Sequence, residues 1–270
     1  MADDLQLPKG DLMRGKRGIV TGVANHNSIA WGIASQLAAQ GAEIALAYME
    51  MNEKRVRPLG EGIGVKVWAT LDVSDDASMD AAFRTVEDAW GSIDFLVHAI
   101  AYADRDQIKG SFVENATREA FARALDISVF SFVDMARRAS RLMPGGGSIL
   151  TLTYLGSERA IPNYNTMGVA KAALEASVRY AARDLGPKGI RVNALSAGAM
   201  RTLSLAGIAG GRSMLAQGRA LSALKEDTSM EGVAGCALWL LSDLGRSTTG
   251  EVVHVDAGFH MMGLPSEDEG

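Results

Sequence analysis

The sequence predicts an α/β fold in one domain, a doubly wound parallel sheet with helices on both faces. Three observations carry this. Short β-branched or apolar runs alternate with longer segments of helical spacing along the whole chain. Glycines punctuate the ends of many of these runs. One run, DFLVHAI at 94–100, is apolar almost throughout, as a strand covered on both faces must be.

The elements follow in order. Residues 17–21 (RGIVT) are a β-branched run ending at Gly22, and 29–40 place Ile29, Ile33 and Leu37 at helical spacing before Gly41. Strands are expected over 43–48 (EIALAY) and 66–70 (KVWAT). From Asp76 to Trp90, Ala82, Phe83, Val86 and Ala89 share one side of a helix. After the strand at 94–100 comes one long helix, Arg118 to Leu142, closed by Pro144 and three glycines. A strand at 148–153 (SILTLT), a helix over 163–184 and a strand at 190–196 (IRVNALS) follow. A helix near 230–242 and a strand at 251–255 (EVVHV) complete the pattern. In such sheets ligands bind at the carboxyl ends of the strands, near the point where strand order reverses. Gly22, Asp72, Ile100, Thr153 and Ser196 all fall at or just past strand ends, so their loops should line one crevice.

At 270 residues, 47% of them apolar, the chain can bury one sizeable core. The expected boundaries are an N-terminal extension at 1–14, the domain at 15–260 and an acidic tail at 261–270. The net charge of −5 and the lack of a basic stripe argue against nucleic acid as a partner. No stretch approaches the roughly 18 apolar residues of a membrane span, and MADDLQLPKGDLMR has no hydrophobic core of the kind a signal peptide carries. The single Cys236, within VAGCALWLL, excludes an internal disulfide framework. It reads as a small buried apolar residue in a reducing, cytoplasmic setting. No metal is expected.

The first strand–helix junction has the chemistry of a phosphate turn. Gly22 lets the backbone turn sharply, and Ser28-Ile29-Ala30-Trp31-Gly32 opens the helix, whose N–H groups and positive dipole end suit a pyrophosphate. Ser28 could cap that helix and donate to a phosphate oxygen. The pattern is not a clean G-x-G-x-x-G, since the central glycine is absent and the loop at 23–27 is longer; an ordinary strand–helix turn is the alternative. The second strand ends Tyr48-Met49-Glu50, followed by Lys54 and Arg55. Glu50 suits an adenosine ribose and the basic pair suits a 2′-phosphate, while a solvated loop accounts equally for both. The reading favours NADH, with NADPH the alternative. Asp72-Val73 after the third strand could grip adenine, with Asp72 accepting from the amino group, or Asp72 could simply cap the turn DVSDD.

Tyr164 and Lys171 lie seven residues apart in YNTMGVAK, a rotation of about 700° on a helix, so they face the same way two turns apart. An ammonium beside a phenol would favour its ionised form and shift it towards proton donation or oxyanion stabilisation. Lysine in that position can also hold nicotinamide ribose hydroxyls. A core tyrosine with a solvated lysine is the structural alternative. Tyr154 stands ten residues earlier, at the end of SILTLT, and either reaches the crevice or packs.

Nearly the whole chain resembles the short-chain dehydrogenase/reductase superfamily, of Rossmann-type fold. More closely it resembles the NADH-dependent enoyl-acyl-carrier-protein reductases of bacterial type II fatty acid synthesis. The stretches that carry this are GKRGIVTGVANHNSIAWGIA, LTLTYLGSERAIPNYNTMGVAKAALEASVRY, GIRVNALSAGAMRTLSLAGI and TGEVVHVDAGF. The paired tyrosines around LGSERAIPN set this group apart from ordinary ketone reductases, which usually carry a serine where Thr151 stands here. The resemblance implies hydride transfer from NADH to the β-carbon of a trans-2-enoyl thioester borne by acyl-carrier protein. Tyr164 would stabilise the enolate, Lys171 would hold the ribose, and Tyr154 would be a second active-site tyrosine. It implies cofactor contacts at Gly22, Ser28, Ile29, Met49, Asp72, Val73, Ile100, Lys171, Met200, Arg201, Thr202, Leu203 and Ser204, and a substrate contact at Ala103. It also implies a homotetramer and a mobile substrate-covering loop over about 203–224, for which an amphipathic packing helix is the alternative. The chain departs from the family's pattern in three places: Met49 replaces a common glutamine, AGPIRT reads AGAMRT at 197–202, and Ala101 replaces a frequent glycine. A carbonyl or alcohol dehydrogenase of the same superfamily and a non-catalytic cofactor-binding regulator are the competing readings.

Overall fold

The computed structural model describes residues 5–263. Seven strands form one sheet: β1 Arg17–Thr21, β2 Glu43–Tyr48, β3 Val67–Thr70, β4 Phe95–His98, β5 Gly147–Thr153, β6 Ile190–Ala197 and β7 Val252–Val255. Their order is β3-β2-β1-β4-β5-β6-β7, and every neighbouring pair is parallel. The helices are α1 Ile29–Ala39, α2 Glu53–Gly62, α3 Asp76–Trp90, α4 Phe112–Asn115, α5 Arg118–Leu125, α6 Ser131–Arg141, α7 Asn165–Leu185, α8 Leu203–Ala206, α9 Gly211–Leu221 and α10 Met230–Leu241. The doubly wound parallel sheet is the one the alternating pattern predicts.

Alternation along each strand sends successive side chains to opposite faces, and both faces are apolar. On one, Ile19, Ala45, Leu96, Ile149 and Val192 meet Val86 of α3, Phe132 and Met135 of α6, and Leu174 and Val178 of α7. On the other, Val20, Leu46, Phe95, Val97, Leu150 and Leu195 meet Ile33 and Leu37 of α1, Val56 of α2, and Val233 and Leu240 of α10. The chain winds from β1 outward to β3, then returns to place β4 on the other side of β1. The connections after β1 and β4 therefore leave in opposite directions and open a crevice between them. Buried Thr21 ties its floor, donating to the Val97 carbonyl at 3.0 Å and accepting from the Ala99 N–H at 3.2 Å.

Three features differ from expectation. The single helix over 118–142 is broken: α5 and α6 are joined by a π-helical turn, Asp126–Phe130. The wider turn sets Ser128 against the loop after β4, where its hydroxyl donates to the Tyr102 carbonyl and accepts the Tyr102 N–H. Apolar periodicity alone does not reveal such a bulge. Second, α2 occupies a charged stretch containing Pro58, and only Val56 and Gly60 of it are buried, too few apolar positions to show a period. Third, α7 begins at Asn165, so Tyr164 is its N-cap residue rather than part of its interior.

Part of the N-terminal segment is stitched to α1. Gln36 and Gln40 donate to the Pro8 carbonyl, and Met13 is buried. The expected acidic tail lies outside the described residues from position 264 onward. Phe132 is fully buried, with its ring edge-on to His98. Phe132→Ala should lower stability by about 3–5 kcal/mol, the usual range for truncating a core aromatic. Urea unfolding should show a lower midpoint with an unchanged slope; a loss below about 1 kcal/mol would mean that the site collapses around the gap.

Candidate active site

The residues predicted from sequence gather at the carboxyl edge of the sheet. β5 ends at Thr153, and Tyr154 follows in extended conformation before a short 3-10 turn, Leu155–Ser157. The chain then returns to Tyr164 at the head of α7. The two tyrosine rings meet edge to face, with centroids 4.9 Å apart and planes at 68°. This close approach depends on Gly156, where a Cβ would lie 2.2 Å from the Tyr164 ring. Tyr164 is flanked by Asn163 and Asn165, both in the left-handed region at φ 65° and 43°, a conformation asparagine tolerates better than most residues. Their side chains tie the turn down. Asn163 accepts the Gly110 N–H and donates to the Ala209 carbonyl, while Asn165 donates to the Gly110 carbonyl.

Around Tyr164 pack Met167 and Ala170 of α7, with Ala103, Ile108, Tyr154, Ile161 and Ile208 against them. Ala103, the expected substrate contact, thus packs against the cluster that contains Tyr164. A cavity of about 240 Å³ adjoins it, lined by Tyr154, Ile161, Met214, Asp256 and Phe259 among others. The segment expected to cover the substrate forms α8 and α9, and Ala209, Gly210, Ser213 and Met214 supply part of that wall.

Lys171 is 6% exposed, and its ammonium donates to the Leu152 carbonyl at 2.7 Å. Two of its three protons stay available for other acceptors. Burial lowers its pKa to about 8, against the opposing pull of Glu175. Burial pushes the Tyr164 phenol well above its ordinary value, with smaller contributions in the same direction from Tyr154 and Glu175. This corrects one expectation: Lys171 does not draw Tyr164 towards ionisation, because its ammonium is turned to the β5 backbone. Burial instead favours the protonated phenol of Tyr164. Tyr154 is likewise raised, by burial first and then by Asp256.

The cofactor residues named from sequence lie along the same edge. Gly22 has φ 82°, and a Cβ there would stand 2.0 Å from the Ala99 carbonyl, so only glycine fits between the β1 and β4 loops. The Ser28 hydroxyl does not cap α1, contrary to expectation. It accepts the N–H groups of Ala24 and Asn25 and so closes the long loop on itself. Ile29 packs on the core at the start of α1, and Val73 and Ile100 pack against the opposite layer. Asp72 serves its own turn: its Oδ1 accepts the Ser74 N–H and hydroxyl, which hold its carboxyl below the usual range. Met49 is about half exposed beyond β2. After β6, Met200 is buried, Arg201 is exposed, and the Thr202 hydroxyl caps α8 through the Leu205 N–H ahead of the exposed pair Leu203 and Ser204. A glycine turn and a helix start at the carboxyl edge of a parallel sheet are features that suit a dinucleotide.

Sequence reasoning did not single out Glu175, Asp256, Asn163 or His98. Asn163, His98 and the Thr153 partner of Glu175 are joined across long stretches of sequence, and none of the four residues carries a motif. His98, fully buried, is hydrogen-bonded to Thr151 and Ser131 at 2.9 Å each, and burial, aided by Lys171, drives its pKa to about 3. It is neutral at working pH.

The family model described as "Enoyl-(Acyl carrier protein) reductase" matches residues 22–260. The chain belongs to the enoyl-(acyl carrier protein) reductase family. Within it, the chain is 53% identical to the NADH enoyl-acyl-carrier-protein reductase 1 of Rhizobium meliloti, over 95% of this chain and 94% of that one. It is 48% identical to the NADH enzyme of Rickettsia bellii, over 93% and 96%. Among solved structures, the enoyl-acyl-carrier-protein reductase of Anaplasma phagocytophilum in complex with NAD superposes with a TM-score of 0.93 at 50% identity, over 97% of this chain and all of that one. The Bacillus cereus reductase, solved with NADP+ and indole naphthyridinone, gives 0.91 at 47%, over 94% and 100%.

Gly156→Ala should push the Tyr164 ring aside while leaving the sheet intact. A displacement near 1 Å costs on the order of 100-fold in turnover. An unchanged circular dichroism spectrum with wild-type turnover would show that the ring has room to yield.

Proposed function

We propose that this chain reduces the carbon–carbon double bond of trans-2-enoyl thioesters carried on acyl-carrier protein, at the expense of NADH, with Tyr164 as the group that stabilises the developing charge. The observation that carries the reading is the edge-to-face tyrosine pair, of which Tyr154 lines the cavity, together with the Lys171 ammonium held on the Leu152 carbonyl near the end of β5. NADH, when bound, supplies a hydride to the β-carbon. Gly22, Ser28, Ile29, Asp72, Val73, Ile100 and residues 200–204 are the groups that would hold it.

The remaining work falls to the chain. Reduction at the β-carbon gathers negative charge on the thioester oxygen. A protonated phenol aimed at that oxygen stabilises the charge more than it stabilises the ground state, which is the condition for catalysis. Burial favours this, because it keeps Tyr164 neutral and lowers the local dielectric. Lys171 has two protons left for ribose hydroxyls and brings positive charge to the same region. Tyr154 closes one side of the site, and α8 and α9 shield the acyl chain from water.

One observation disfavours the ketone-reductase alternative. Thr151, which stands where those enzymes usually carry serine, is fully buried with its hydroxyl engaged by His98. It does not face the crevice. NADH is preferred over NADPH. A cytoplasmic setting suits the lone thiol of Cys236, whose pKa burial lifts to about 11. The assembly is a homotetramer, supported by the exposed apolar side chains Phe130, Val133, Val169 and Tyr180 on α6, α7 and the π turn.

Turnover of NADH with crotonyl thioester and none with acetoacetyl thioester is the expected result; the reverse pattern would overturn the reading. Tyr164→Phe should lower kcat by about 10²–10³, the cost of one oxyanion donor, with NADH affinity little changed. Light scattering should return four times the 28.5 kDa chain mass.

A further inference from the structure

Glu175 is a buried acid that the proposed mechanism leaves without a task. It lies one helical turn beyond Lys171 on the inward face of α7 and is 7% exposed. Acids are rarely buried this deeply unless something there needs a negative charge. Its Oε1 accepts the hydroxyl of Thr153, itself buried, at 2.5 Å. Thr153 follows Leu152, whose carbonyl takes the Lys171 ammonium, and precedes Tyr154. Two consecutive residues at the end of β5 are thus gripped by two residues one turn apart on α7, one basic and one acidic.

We propose that Glu175 is a positioning residue: its carboxylate is the counter-charge that keeps the buried Lys171 in its ammonium form, and its bond to Thr153 fixes the strand end that carries Tyr154. The role rests on the reading of Tyr164 and Lys171 as the working pair. An ammonium withdrawn from water tends to lose its proton unless an opposite charge stands near. The titratable groups linked electrostatically to Lys171 are Glu175 on its own helix and His98 on β4, while the phenols of Tyr164 and Tyr154 lie at the start of α7 and just past β5. His98 is neutral, and burial holds both phenols in their neutral form. Glu175 is the group whose charge opposes the effect of burial on Lys171. The groups facing Glu175 are Thr153, Lys171 and Tyr164.

The test is the pH dependence of two quantities between pH 6 and 10: kcat/KM for crotonyl thioester, and the NADH dissociation constant measured by fluorescence without substrate. In the wild type both should worsen as pH rises through about 8. Glu175→Gln keeps the shape and the acceptor for Thr153 but removes the charge. Its basic limb should move to lower pH by about one unit, so that activity and affinity drop roughly fivefold or more at pH 8 and stay within about twofold at pH 6. Thr153→Val removes the bond and keeps the charge; its limb should stay in place while Tm falls. Glu175→Asp, with a shorter reach, should move the limb by an intermediate amount, and it decides the matter alone should the glutamine variant not fold. Limbs that coincide with the wild type in every foldable Glu175 variant would overturn the role. A wild type without enoyl turnover would overturn the enzymatic reading instead, and the NADH affinity profile would still report on Glu175.

Discussion

Lys171 brings an ammonium into the interior, and much of the site follows from the need to house it. A buried cation demands acceptors and a compensating charge. The β5 carbonyl of Leu152 meets the first demand and Glu175, one turn further along α7, meets the second. Both lie where the parallel sheet delivers its strand ends, so the arrangement can exist only once α7 has packed across β5. The same packing brings Tyr164, at the head of α7, against Tyr154, at the end of β5. Chemistry and fold are therefore coupled through one helix–strand contact.

Polar groups around this contact are arranged to remain uncharged. The phenols of Tyr154 and Tyr164 are raised and His98 is lowered, all chiefly by burial. Where α7 meets β5, the charged side chains are Lys171 and Glu175, with Asp256 beyond Tyr154. A site of this kind can respond strongly to negative charge appearing on a substrate oxygen, since few mobile charges are present to screen it. The asparagines on either side of Tyr164 add a mechanical element: their left-handed backbone and their bonds to residues 110 and 209 join the tyrosine to the wall that covers the cavity.

Conformational demands explain why some positions departed from expectation. A Ser28 hydroxyl that closes its own loop leaves the helix start to its backbone N–H groups, which are the part a pyrophosphate needs. A π turn in place of a continuous helix brings Ser128 against Tyr102 and Ser131 against His98. Both are local accommodations to neighbours far away in sequence, and periodicity carries no record of them.

The amino-acid sequence by itself determined the parallel sheet, the strand ends at which function collects, and the candidates Gly22, Tyr154, Tyr164 and Lys171. Those depend on short-range pattern: alternating burial, helix period, glycine at a turn. Its resemblance to the reductase family was legible in the same segments, above all the stretch between the two tyrosines. Only the tertiary structure decided that the Lys171 ammonium meets the Leu152 carbonyl, that Asp72 gives one oxygen to its own turn, that Thr151 is engaged by His98, and that Glu175 is buried against Thr153 one turn from the ammonium. Those outcomes turn on how deeply each group is buried and on which distant partner satisfies it, quantities that exist only after the sheet and helices have packed.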